Sequence, residues 1–194
     1  MKISFDVINY LIDTFNYKSY LEIGVRGDRN YGNKLSIDCI RCDVKDGVDI
    51  VPGRCNYTMT SDKFFETISA DQTYDIIYVD GDHSRTQVFK DINNSLNHLN
   101  EGGCVLCHDI NPFAEHLLRP SKCNNAWEAW AELRATRNDL EMYALNIDLG
   151  PGIIRKNGQQ LYSKTIEYTW NYLNTNRKEL LNEISVEQFK EIYK

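Results

Sequence analysis

The chain has 194 residues, enough for one α/β domain with a full core and too few for two ordinary ones. Hydrophobic residues make up 42% and charged residues 26%, an ordinary globular composition, and the formal charge of −6 argues against nucleic acid or an anionic membrane surface as a partner. No apolar run approaches the ~20 residues of a membrane span. Lys2 is soon followed by Asp6, Asn9 and Asp13, so no signal-peptide core is expected and the expected compartment is the cytoplasm.

In chain order, residues 4–16 read as an amphipathic helix that Ser4 can cap, with Phe5, Ile8, Leu11, Ile12 and Phe15 on one face. Residues 19–24 read as a first strand that breaks into a turn with Gly24 and Gly27 three apart. A second strand is expected over 36–42, ending at Asp43, with Asp46-Gly47 turning the chain. A short helix follows over 61–70, then a buried strand over 74–79 that ends at Asp80. The spacing of Val88, Ile92, Leu96 and Leu99 predicts a helix over 84–99, stopped by Gly102-Gly103. Residues 104–107 read as a strand ending at His108-Asp109, and 127–137 as a helix whose Trp127 and Trp130 are expected in core or lid packing rather than as a sugar platform. A hairpin is expected from 140–147 and 152–155, then polar helices over about 163–175 and 177–193. These last helices are expected to cover a sheet face or to pair with another copy of the chain in a homo-oligomer. One domain over 1–194 is expected, with a helical C-terminal extension from about residue 160.

Six cysteines include two Cys-x-x-Cys pairs, Cys39/Cys42 and Cys104/Cys107. Both lie in segments that read as strands, where positions i and i+3 face opposite ways, so reduced packing thiols are expected rather than a zinc knuckle.

Strands alternating with helices predict a mostly parallel sheet covered on both faces, with ligands outside the carboxyl ends of the strands. Those ends carry Glu22, Gly24, Asp43, Asp80-Gly81-Asp82-His83 and His108-Asp109. Asp43, about twenty residues past the turn, suits a ribose diol, which both NAD and S-adenosylmethionine (SAM) possess. A pyrophosphate needs a third turn glycine, but Asn30 stands there and Asp28 adds negative charge. SAM has no phosphate and carries a sulfonium cation, so the acids favour it. A nicotinamide-dependent oxidoreductase and a non-catalytic SAM-binding module are the alternatives.

Three stretches carry a family resemblance: Leu21-Glu22-Ile23-Gly24-Val25-Arg26-Gly27, Tyr74 to His83, and Leu99 to Asp109. Over about 18–155 the chain resembles class I SAM-dependent methyltransferases, in the small O-methyltransferase-like branch that includes macrocin-type sugar methyltransferases. The resemblance implies a Rossmann-like fold with a mostly parallel seven-stranded sheet and an antiparallel terminal strand. It implies methyl transfer to an oxygen of a small-molecule acceptor, a sugar or glycan precursor among the candidates. Glu22 would face the methionine amino end, the Gly24–Gly27 turn would admit the cofactor, Asp43 would hold the ribose, and Ser61 and Asp62 would lie near the adenine. Asp80 and Asp109, with His108, would hold a divalent metal.

Two chemical routes stay open. Asp80, Asp82, His83, His108 and Asp109 can converge to hold Mg²⁺, or Mn²⁺, which tolerates imidazole better, to activate an acceptor hydroxyl. Without a metal, His83 or His108 would act as general base.

Overall fold

The computed structural model describes residues 1–28 and 34–194. Its elements are α1 (Ser4–Phe15), β1 (Ser19–Ile23), β2 (Gly27–Asp28), β3 (Lys34–Leu35), β4 (Val44–Asp49), β5 (Tyr57–Thr58), α2 (Ser61–Thr67), β6 (Tyr74–Val79), α3 (Arg85–Asn97), β7 (Leu99–Cys107), α4 (Ala126–Thr136), β8 (Glu141–Leu145), β9 (Gly152–Arg155), α5 (Trp170–Leu180), β10 (Glu183–Ile184) and α6 (Val186–Ile192). Eight strands form one sheet in the order β10-β8-β9-β7-β6-β1-β4-β5, while β2 and β3 make a separate antiparallel ribbon. β1 lies parallel to β4 and β6, and β6 parallel to β7; β9 alone runs antiparallel, inserted between β7 and β8. The Rossmann-like architecture is the expected one, with eight strands where seven were expected.

Period-two alternation distributes the buried side chains between two layers. On β6, Ile77 and Val79 pack with α2, α3, α4 and α5 through Phe64, Val88, Ile92, Trp127, Trp130 and Leu173. Ile76 and Tyr78 face the other way, into a layer with Val7, Ile8 and Leu11 of α1 and Phe189 of α6. The C-terminal helices therefore cover sheet faces, one on each side. Trp130 is fully buried, its indole N–H donating to the Leu181 carbonyl at 3.1 Å. A Cβ on Gly152 would come within 2.3 Å of that ring, so only glycine lets β9 pass there.

Several expectations are corrected. Residues 36–39 form a 3₁₀ turn, and the second strand of the sheet is β4, which contains Asp46-Gly47. Gly47 is no turn residue: a Cβ there would meet Val25 Cγ2 at 2.7 Å and Cys55 Cβ at 2.9 Å, so glycine serves a close crossing inside the strand. β7 begins at Leu99, through the glycines expected to end α3. Residues 163–169 are not helical, and the short strand β10 separates α5 from α6. Ser4 does not cap α1; it is buried, and its N–H and hydroxyl both donate to Asp148 Oδ2 at 2.7 and 2.9 Å. All six cysteines are free thiols, and among the described residues none joins a metal-ligand cluster. Among the described residues no helix is long and apolar enough to cross a membrane.

Candidate functional site

The sequence order reverses about β1, whose neighbours β4 and β6 lead to opposite sides of the sheet, and ligands of such sheets bind outside the carboxyl ends at this point. The last paired residues there are Val48, Ile23, Val79 and Cys107. The ladder continues one step further: Gly24 N–H donates to Val48 O at 2.8 Å, Asp80 N–H to Ile23 O at 2.8 Å, and His108 N–H to Val79 O at 3.0 Å. Asp49, Gly24, Asp80 and His108 thus stand side by side in one row across four adjacent strands.

Asp43 is not in this row. It precedes β4, is exposed, and lies 3.8 Å from Lys18, at the opposite end of the sheet. The strand boundary explains the correction: with β4 at 44–49, the acid at its carboxyl end is Asp49. Asp49 is 10% exposed in its side chain, accepts the Val51 N–H at 2.6 Å and lies 3.7 Å from Arg54. Ile50, beside it, is 70% exposed, an apolar side chain presented at the rim.

Gly24 adopts φ +88°, and a Cβ there would fall 2.3 Å from the Asp80 carbonyl oxygen. Its lack of a side chain lets the β1 turn touch the β6 turn, closing the floor of the crevice. Gly27 has no such constraint; a Cβ would meet only Leu35 Cδ2, at 3.7 Å. Arg29 and Asn30 lie outside the described residues.

Glu22 is fully buried beneath this row. Its carboxyl accepts the Tyr20 hydroxyl at 2.9 Å and the Ser36 hydroxyl. Burial pushes its pKa up to about 8 against those hydrogen bonds, and the charges of Asp80 and Asp49 add to the rise. Ser61 and Asp62 open α2 and turn toward α3: Gln87 Nε2 donates to them at 3.1 and 2.9 Å, and Lys90 reaches Asp62 at 3.0 Å.

The acids and histidines converge on the other side of Gly24. Asp80 Oδ1 faces His83 Nε2 at 3.2 Å and His108 Nδ1 at 3.1 Å. His83 Nδ1 faces Asp109 Oδ2 at 2.9 Å and the Lys122 carbonyl at 2.8 Å. His108 Nε2 meets the Asp148 carbonyl at 3.0 Å. Each imidazole has acceptors at both nitrogens, which only the doubly protonated ring satisfies. Burial opposes that charge, but hydrogen bonds to Asp109 and Asp80 raise His83 to about 10, and the Asp80 charge leads the forces holding His108 well above the ordinary range. Burial of Asp80 would raise its pKa, yet the two histidines hold it well below the usual carboxylate range.

Asp80, His83 and Asp109 each offer a ligand atom, all within 4.8 Å of one another. Asp109 Oδ1 is buried without a hydrogen-bond partner; His108 Nδ1, at 3.4 Å, is near enough for charge attraction only. A buried carboxylate oxygen left unpaired beside a second carboxylate and an imidazole fits a divalent cation, and one nitrogen among the oxygens suits Mn²⁺ better than Mg²⁺. Among the described residues the trio contains His83 where His108 was expected; His108 instead bridges Asp80 and the Asp148 carbonyl. His83 does not cap α3; Asp82 makes the turn there, accepting the Ser84 N–H at 2.6 Å.

Sequence reasoning missed Asp49, Ser36, Tyr20 and Asp148. Asp49 was hidden by the misplaced strand. Tyr20 lies two residues before Glu22 on the same face of β1, a local signal the period-two pattern carried. Ser36 and Asp148 reach the site through tertiary contacts, although the Asp148-Leu149-Gly150 turn was visible as a turn.

A family model described as a methyltransferase domain matches residues 36–110, the span from the 3₁₀ turn past Asp49, Asp80 and Asp109. No curated protein matches in sequence. Solved structures do match in fold. An assigned caffeoyl-CoA O-methyltransferase from Staphylococcus aureus is 18% identical with a TM-score of 0.56, over 79% of this chain and 83% of that one. The O-methyltransferase TomG from Streptomyces achromogenes, involved in tomaymycin synthesis and crystallised with SAM, is 11% identical with a TM-score of 0.53, over 78% of each chain. A Podospora anserina methyltransferase, PaMTH1, crystallised with S-adenosylhomocysteine (SAH), is 15% identical with a TM-score of 0.50, over 79% and 77%. The fold is therefore that of the Rossmann-like methyltransferases.

Proposed function

We propose that the protein transfers a methyl group from SAM to an oxygen of a small-molecule acceptor, with a hydroxyl-rich compound such as a sugar or glycan precursor as the acceptor class. The observation that carries this reading is the row Asp49–Gly24–Asp80–His108. Its acids stand on both sides of the close β1–β6 crossing, which supports a ribose diol at Asp49 on one side and a cation at Asp80 on the other. The family model over 36–110 and the SAM- and SAH-bound fold relatives support it.

In this reading Asp49, in place of Asp43, accepts the two ribose hydroxyls. The adenine lies along Ile50 and the start of α2 at Ser61 and Asp62. Glu22 receives the methionine ammonium, a cation that offsets the cost of ionising a buried carboxyl. Asp80, His83 and Asp109 hold the divalent cation, which when bound lowers the pKa of the acceptor hydroxyl. His108 and Asp148 hold Asp80 in place from behind. The acceptor oxygen attacks the methyl carbon, the carbon–sulfur bond breaks, and the sulfonium leaves as the thioether of SAH while the hydroxyl proton passes to solvent.

Calorimetry with SAH, with and without Mn²⁺, tests this reading. Micromolar binding is expected. No binding in either condition, or tight binding of NADH by fluorescence titration, overturns it.

A further inference from the structure

The segment that follows Asp109 is fastened from outside the sheet, and the fastening comes from the C-terminal extension. Asp109 is a non-glycine residue at φ 60°, a left-handed conformation that L side chains adopt rarely and that persists where the surroundings enforce it. Two residues on, every polar group of the buried Asn111 that can donate is satisfied at a distance in sequence. Its N–H donates to the Leu149 carbonyl at 2.9 Å, and its Nδ2 donates to Glu183 of β10 at 2.7 Å. Its Oδ1 accepts from Arg177 of α5. The same Arg177 nitrogen donates to the Pro112 carbonyl at 2.7 Å, and the guanidinium sits 5.5 Å from the centre of the Trp170 ring. On the opposite side, the Asp148-Leu149-Gly150 turn has three successive residues at positive φ and presses so closely that a Cβ on Gly150 would meet Asn111 Cβ at 2.1 Å.

We infer that Arg177 is a positioning residue: through Asn111 and the Pro112 carbonyl it holds Asp109 in the left-handed conformation that presents its carboxylate to Asp80 and His83. The inference rests on the proposed site only in its consequence for metal binding. Arg177 Nη1 serves two acceptors, one on a side chain and one on the main chain, so it fixes the backbone of 111–112 as well as the amide. A lysine keeps the charge and can supply donors from one nitrogen, but it lacks the planar guanidinium held over the Trp170 ring.

Two readouts on Arg177→Met and Arg177→Lys test this. The first is hydrogen exchange of the amides at 109–113 against those of β1 and β6. The second is Mn²⁺ affinity, measured with SAH affinity as a control. Arg177→Met is expected to speed exchange at 109–113 alone and to weaken Mn²⁺ binding roughly 10–100-fold, the usual cost of losing an outer support of a metal ligand. SAH affinity should stay within about twofold, and Arg177→Lys should recover part of the loss. Unchanged exchange at 109–113, or exchange accelerated equally in β1 and β6, overturns the inference. If the methionine variant does not fold, Glu183→Gln, which loosens the same amide, takes its place with the same expectations. If the wild-type protein binds no Mn²⁺, the metal reading falls, and the exchange pattern alone decides the role of Arg177.

Discussion

His83 Nδ1 lies 2.9 Å from Asp109 Oδ2, a contact between two of the three groups that would hold a divalent cation in the proposed site. In that reading the imidazolium proton and a metal ion would be alternative occupants of one charge balance.

Metal binding should therefore release a proton. His83 keeps its proton up to about pH 10 in the metal-free protein, and a ligating imidazole must give it up. Mn²⁺ affinity is expected to rise with pH up to that value. Calorimetry at pH 7 in buffers of different ionisation heats should show about one proton released. The same raised pKa stabilises the metal-free fold fully below the ordinary value of 6.5, and that contribution is lost as pH rises through about 10. An affinity independent of pH between 6 and 9 would remove His83 from the ligand set.

Asp80→Asn removes the negative charge of the carboxylate on whose Oδ1 both histidines meet. Mn²⁺ binding should fall by more than the roughly 10–100-fold cost of an outer-shell loss. The His108 titration, followed by NMR of the ring protons, should move down toward neutral pH, because the Asp80 charge leads the forces that raise it.

Asp49→Ala should weaken SAH binding by about 1.5–3 kcal/mol, the range for hydrogen bonds to a charged group, or roughly 10–100-fold. Asp43→Ala should leave it within about twofold, since Asp43 is exposed at the far end of β4. Equal losses in the two variants, measured by calorimetry, would reverse the assignment of the ribose acid.

Glu22 has a pKa near 8 in the protein against 4.5 for a free side chain, so folding favours its protonated form. Its contribution to stability is complete below about pH 4.5 and disappears as pH rises through about 8. Glu22→Gln should accordingly match the wild-type melting temperature near pH 5 and exceed it near pH 9. The variant should also lose SAH affinity, because glutamine cannot offer a charge to the ammonium. A melting-temperature difference that does not change with pH would contradict the buried neutral carboxyl.

Much of this fold could be read from period and punctuation. β1, β6, α3 and α4 stand close to their expected positions because each carries an unbroken apolar pattern. The acid inside the apolar run at Glu22 marked a buried polar partner, which proved to be Tyr20 with Ser36. The second strand was misplaced because Asp46-Gly47 is a strong turn pattern, and the close crossing that Gly47 serves is a property of Val25 and Cys55, not of its neighbours in sequence. That single displacement moved the expected ribose acid from Asp49 to Asp43. The support behind His108 was invisible for a different reason: Ser4 and Asp148 are 144 residues apart and meet only once the hairpin folds back on α1.

The sheet ends in two-residue strands on both sides, β5 at one margin and β10 at the other. A long exposed edge would offer unpaired amides and carbonyls to another chain, and two residues offer too little ladder to template one. The molecule is thereby guarded at both margins against open-ended strand addition.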